Sequence, residues 1–98
     1  SVFLQGLLTM SLSKIQNKFH KYKKYFLNLD KISKKIKKSK IEICLQYALS
    51  NPYIDKVILG VDSSKQFKYL ISKCNFIKLN LKKVDASKEI DLINPSRW

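Results

Sequence analysis

With 98 residues, the chain has room for one small domain or for part of a larger one. Apolar residues make up 45% of it, too many for a disordered tail, and no apolar run approaches the ~18 residues that cross a bilayer. Twenty basic residues against seven acidic ones give a net charge of +13, yet nineteen of the twenty are lysine and Arg97 is the sole arginine. Readers of base edges lean on arginine for bidentate contacts. The lysines therefore read as solvated faces of surface helices, with no nucleic acid and no membrane expected as partner. Residues 1–10 are apolar but lack a basic leader and a small-residue cleavage site, so a cytoplasmic protein is the expectation.

Residues 1–9, SVFLQGLLT, read as a buried strand followed by a glycine-marked loop. A continuous apolar run suits a parallel strand covered on both faces. Residues 11–18 are polar and read as a loop or a short helical turn. From about Asn17 to Lys38, Phe19, Tyr22, Phe26, Leu29, Ile32 and Ile36 recur at intervals of three and four and predict one helical face, with lysines on the other. Ser39 and Glu42 form an S-x-x-E capping box that opens a second helix. Ile41, Cys44, Leu45, Ala48 and Leu49 are its apolar stripe, and Asn51-Pro52 stops it. Residues 56–61, KVILGV, predict a short buried strand ending at glycine. Ser63 or Ser64 caps a third helix, with Gln66 three residues after Ser63 and with Phe67, Leu70, Ile71 and Cys74 facing inward. Residues 75–98 read as an irregular tail with one helical turn near residues 87–92.

Chemistry-bearing residues are sparse. Cys44 and Cys74 lack metal spacing and read as two buried thiols. His20, the only histidine, sits in a basic helix with no acidic neighbour to tune it. Tyr22, Tyr25, Tyr47, Tyr53 and Tyr69 fall in helical patterns or turns, where packing or surface roles are the simpler reading.

The order of these segments resembles the C-terminal part of the aldo/keto reductase family. There a helix reading like "qlALryvLsnp" leads into the eighth strand "vipGv" and then "dsleQl". Here Leu45, Tyr47, Ala48, Leu49, Ser50, Asn51 and Pro52 match the helix, Val57 to Val61 the strand, and Asp62, Ser63 and Gln66 the loop. Ser1, Gly6, Leu7, Leu8 and Thr9 match the end of the seventh strand, "ySplgxGlLtg", with Val2 in place of its proline. The closing INPSRW is similar to members acting in cell-surface sugar biosynthesis. The resemblance implies an α/β fold, the C-terminal portion of a (β/α)₈ TIM barrel with about two strands and three helices. A whole barrel takes roughly 250 residues, and the first residue is Ser1 rather than methionine. Residues 1–98 are thus expected to be a fragment of a single reductase domain.

The same resemblance implies a nicotinamide dinucleotide, NADP or NAD, and a carbonyl or sugar substrate in the complete protein. Family members take their catalytic tyrosine, lysine, aspartate and histidine from the first four strands, so no catalytic residue is expected in this chain, and no metal. Ser1, Phe3 and Gln5 occupy positions that line the pyrophosphate channel. Gly60, Val61, Asp62, Ser63 and Gln66 form the eighth-strand loop, where backbone amides and a helix N-terminus favour the adenosine phosphate end. Asp62 stands where the common form has an arginine for the 2′-phosphate of NADP, which leaves NAD against NADP open. Tyr69-Leu70 replaces the "EN" pair that often meets the adenine. The competing reading is a small lysine-rich module for nucleic acid or an anionic membrane surface. Two strands that read as buried, with no partner strands to complete a sheet, argue against it.

Overall fold

The computed structural model describes residues 1–74 and 81–98. Four α-helices and several short 3₁₀ turns carry the architecture, and no β-strand forms among the described residues. Helix α1 spans Lys23–Ile36, α2 Lys40–Leu49, α3 Ser64–Ser72 and α4 Ile90–Ile93.

Helix α1 is shorter than its apolar spacing predicts, because Asn17–Tyr22 winds as a 3₁₀ helix before it. The local spacing explains the change. A 3₁₀ helix repeats every three residues, so Phe19 and Tyr22 eclipse one another and both are buried. Phe26 and Leu29 continue the buried face on α1, while Ile32 and Ile36 are half-buried. The helix ends at Lys37, whose left-handed backbone (φ 55°) lets the Lys38 amide donate to the Ser33 carbonyl at 3.2 Å.

Ser39 caps α2 as expected: the Glu42 amide donates to Ser39 Oγ at 3.2 Å. The Glu42 carboxylate turns to Lys73, 3.3 Å away, and Lys38, 3.9 Å away, and so ties α3 to the start of α2. The buried residues of α2 are Ile43, Cys44, Leu45, Gln46 and Ala48, with Ile41 half-buried and Leu49 exposed. Consecutive buried positions cover every side of the helix, the mark of a central element and not of an amphipathic surface one. Packing against α1 and against the Leu7–Thr9 turn covers much of it.

The predicted partial barrel is not formed here. Residues 1–9 curl: Leu4, Gln5 and Gly6 all have positive φ, and Leu7–Thr9 is a 3₁₀ turn. Their amides bond locally, Leu4 to the Ser1 carbonyl, Leu7 to Leu4 and Leu8 to Phe3. Residues 56–61 make no ladder either, and Ile58 is 92% exposed. The reason is non-local: a strand exists only through hydrogen bonds to a neighbouring strand.

Of the two candidate caps, Ser63 is the one that caps α3, but of the four expected inward residues only Leu70 is buried. Phe67, Ile71 and Cys74 are exposed. The tail is more ordered than its sequence implies. Its first part, residues 75–80, lies outside the described residues. Beyond it, the turn near residues 87–92 appears as α4, and Leu92 joins Leu7, Phe19, Tyr22 and Phe26 in one core cluster. Asn94 accepts from the Ser96 amide, and Pro95 opens a 3₁₀ turn that folds Trp98 back. The Trp98 indole donates to the Leu92 carbonyl at 2.9 Å and meets Phe19 edge-on at 4.9 Å.

Candidate functional site

The eight expected site residues fall into two separate groups. In the first, the Gln5 amide donates to Ser1 Oγ at 3.2 Å, and Phe3 is half-buried beneath, its carbonyl accepting from Leu8. In the second, all five residues, Gly60, Val61, Asp62, Ser63 and Gln66, are exposed at the start of α3. Among the described residues, no hydrogen bond or ion pair joins the two groups.

The second group is locally well built. Ser63 is extended (φ −153°, ψ 160°), and its Oγ accepts from the Gln66 amide at 3.1 Å. Gln66 reaches back, its Oε1 accepting from the Asp62 amide at 2.6 Å. This is a capping box lengthened by one residue. Ser64 and Lys65 occupy the first two helical positions, whose amides have no acceptor within the helix. Those amides and the helix dipole give the loop a positive pole. Gly60 stands in open space: a side chain there would meet no atom within 4 Å, so no neighbour in this arrangement requires glycine.

Of the first group, Ser1 alone lines an open, mainly apolar cleft of about 470 Å³ that sequence patterning did not reveal. Ser1, Tyr25, Ile43, Cys44, Tyr47 and Leu92 are among its lining residues. The Tyr25 hydroxyl donates to Glu89 Oε1 at 2.9 Å, which joins α1 to the tail and raises the pKa of Tyr25. Burial pushes the Cys44 thiol up to about 12, against a smaller opposing pull from Lys40. Such a thiol stays protonated and unreactive. The cleft unites residues far apart in sequence, so no local signal marks it.

No arrangement for proton transfer is evident in the tyrosines. Tyr22 is buried in the core, Tyr47 and Tyr53 are exposed, and the Tyr69 hydroxyl donates to Ser39 Oγ at 3.3 Å. The Lys21 ammonium lies 5.0 Å from the Tyr22 ring, and its pKa is raised first by the Tyr22 hydroxyl beside it. His20 is exposed. The two cysteines are free, as expected, but only Cys44 is buried; Cys74, just past the end of α3, is exposed. Among the described residues, no group of three or more His, Cys, Asp or Glu could hold a metal ion, and no helix is long and apolar enough to cross a membrane.

Comparison with curated proteins and with solved structures returned no match. A family model does match: the aldo/keto reductase family, over residues 1–92. The match takes in both loops and all three longer helices and ends within α4, the same order of segments that the wording of residues 39–66 resembles. A match over nearly the whole length decides the question, and the chain belongs to the aldo/keto reductase family of oxidoreductases.

Proposed function

We propose that the chain is the C-terminal part of an NAD(P)H-dependent oxidoreductase that acts on a carbonyl or sugar substrate, and that it supplies part of the dinucleotide site. The family match over residues 1–92 carries this reading. The loop at the start of α3 supports it in detail: two helical amides without internal acceptors, the Ser63 hydroxyl and Lys65 together suit a phosphate. Ser1, Phe3 and Gln5 would line the pyrophosphate, and Gly60, Val61, Asp62, Ser63 and Gln66 the adenosine end. The proton donor and its partners would come from strands outside these residues, so the chain alone transfers no hydride. A cytoplasmic location fits the same reading.

Asp62 provides the test. Its carboxylate repels a 2′-phosphate and can accept a ribose hydroxyl. Asp62→Arg should shift preference toward NADP by about tenfold, the scale of one charge-assisted hydrogen bond. The shift should shrink as salt rises. The measurement is the ratio of NAD and NADP affinities in both variants, followed through the amide resonances of Ser63 and Gln66. An unchanged ratio places Asp62 outside the phosphate pocket, and silent amides remove the loop from the cofactor site.

A further inference from the structure

The lysines of this chain are segregated. Eleven of the nineteen lie between Lys14 and Lys40, where Asp30 is the only carboxylate; the remaining residues hold nine basic side chains against six acidic ones. A general compositional preference for lysine would spread them evenly.

Helix α1 arranges the densest part of this run. At about 100° per residue, Lys23, Lys24, Lys31, Lys34 and Lys35 fall within about 120° of the helix circumference, opposite buried Phe26 and Leu29. All five are exposed. They form two rows, Lys23 with Lys34 and Lys24 with Lys31 and Lys35, separated by half-buried Leu27. Lys34 pairs with Asp30 at 2.9 Å, but the lysine is largely exposed and such pairs are weak. Exposed Lys37 and Lys38 extend the charge at the C-terminal end.

The surroundings narrow the partner. Tyr25, the ring next to this face, is half-buried, carries Lys24 over its ring at 5.0 Å and has its hydroxyl held by Glu89, while Phe19, Tyr22 and Phe26 are buried, so these rings are not free to stack on bases or to enter a bilayer. Only phosphate contacts remain. A flat lipid surface meets the middle of a fanned array, whereas a groove meets both edges. The major groove of a duplex is about 12 Å wide and admits a helix, with a phosphate row on each side. Lysine also suits phosphates as a point charge without reading bases.

We propose that the lysine face of α1 binds the phosphate backbone of double-stranded nucleic acid, without sequence preference. This activity is separate from the dinucleotide loop at α3.

Fluorescence anisotropy with a labelled random-sequence duplex of about 20 base pairs, over a series of salt concentrations, tests it. Binding should be saturable at low salt and fall steeply as salt rises. Lys31→Glu with Lys35→Glu should weaken it by about tenfold or more and flatten the log–log salt slope by about two, one contact per lysine. Lys56→Glu with Lys68→Glu changes net charge equally at other exposed sites and should cost less than about threefold. Lys31→Gln with Lys35→Gln keeps the test intact if charge reversal disturbs folding, which circular dichroism reports. Absent binding, equal losses in both lysine pairs, or an unchanged slope overturns the proposal. Tighter binding to phosphatidylserine vesicles than to the duplex at equal phosphate, with the same dependence on Lys31 and Lys35, overturns it in favour of a membrane surface.

Discussion

Lys37 shows how one residue can work against its own backbone. It ends α1 at φ 55°, a region that costs an L-residue about 1–2 kcal/mol and glycine almost nothing. Its positive charge at the helix C-terminus offsets part of that cost, and Lys34, Lys35 and Lys38 remain to supply the rest. Lys37→Gly should therefore raise stability by about 0.5 kcal/mol, read as a higher urea midpoint. Lys37→Ala keeps the strain, loses the charge and should not stabilise. The cysteines offer a second test at this scale. Exposed Cys74 should react with a thiol reagent near pH 8 long before Cys44, whose pKa stands at about 12. The folded pKa of Cys44 is raised above its ordinary 9.0, so the folded state holds the proton more tightly. Its contribution is fully present below pH 9 and is lost as pH rises toward 12, at up to about 1.4 kcal/mol per pH unit. Equal labelling rates, or alkaline stability that Cys44→Ala leaves unchanged, would refute the buried environment.

At the level of elements, what was legible followed the range of the interactions. Ser39 and Ser63 each cap a helix through a bond to the amide three residues on, so local spacing revealed Ser39 and narrowed the second cap to Ser63 or Ser64. The burial of Ile43 and Gln46 was not legible, because it depends on what packs around α2. Nor was the role of the tail. Leu92 is 1% exposed and lies in the main cluster, yet the weak alternation around it gave no sign of core membership. Leu92→Ala should cost about 2–5 kcal/mol, measured by urea unfolding. It should also release Trp98, whose indole bonds to the Leu92 carbonyl, and shift its fluorescence toward that of solvated tryptophan. A cost under about 1 kcal/mol would mean that the tail does not anchor the core.

For the whole molecule, two observations pull in opposite directions. The Cα radius of gyration is 13.4 Å, close to the ~13 Å of a folded chain of about 100 residues. Yet Tyr53 and Ile58, before and within the predicted strand, are more than 90% exposed, and Phe67 and Ile71 on α3 more than half. A collapsed chain with this much unpartnered apolar surface should unfold broadly and self-associate as concentration rises. Sedimentation across a concentration series, together with urea unfolding, checks this. A sharp cooperative transition of a strict monomer would mean that the 98 residues form a self-contained domain.

The sequence by itself determined the presence of α1, α2 and α3, the cap at Ser39, a serine cap at Ser63 or Ser64, the stop at Asn51-Pro52 and the order of segments that the family match over residues 1–92 supports. Each depends on residues within about one helical turn, or on the wording of the chain. Tertiary structure alone decided the fate of residues 1–9 and 56–61, the central place of α2, and the recruitment of Leu92 and Trp98 to the core. A strand needs a neighbour to accept its amides, and a core residue needs partners from distant parts of the chain. An apolar run can announce that it wants cover, but only the folded arrangement determines whether a strand, a helix or solvent lies against it.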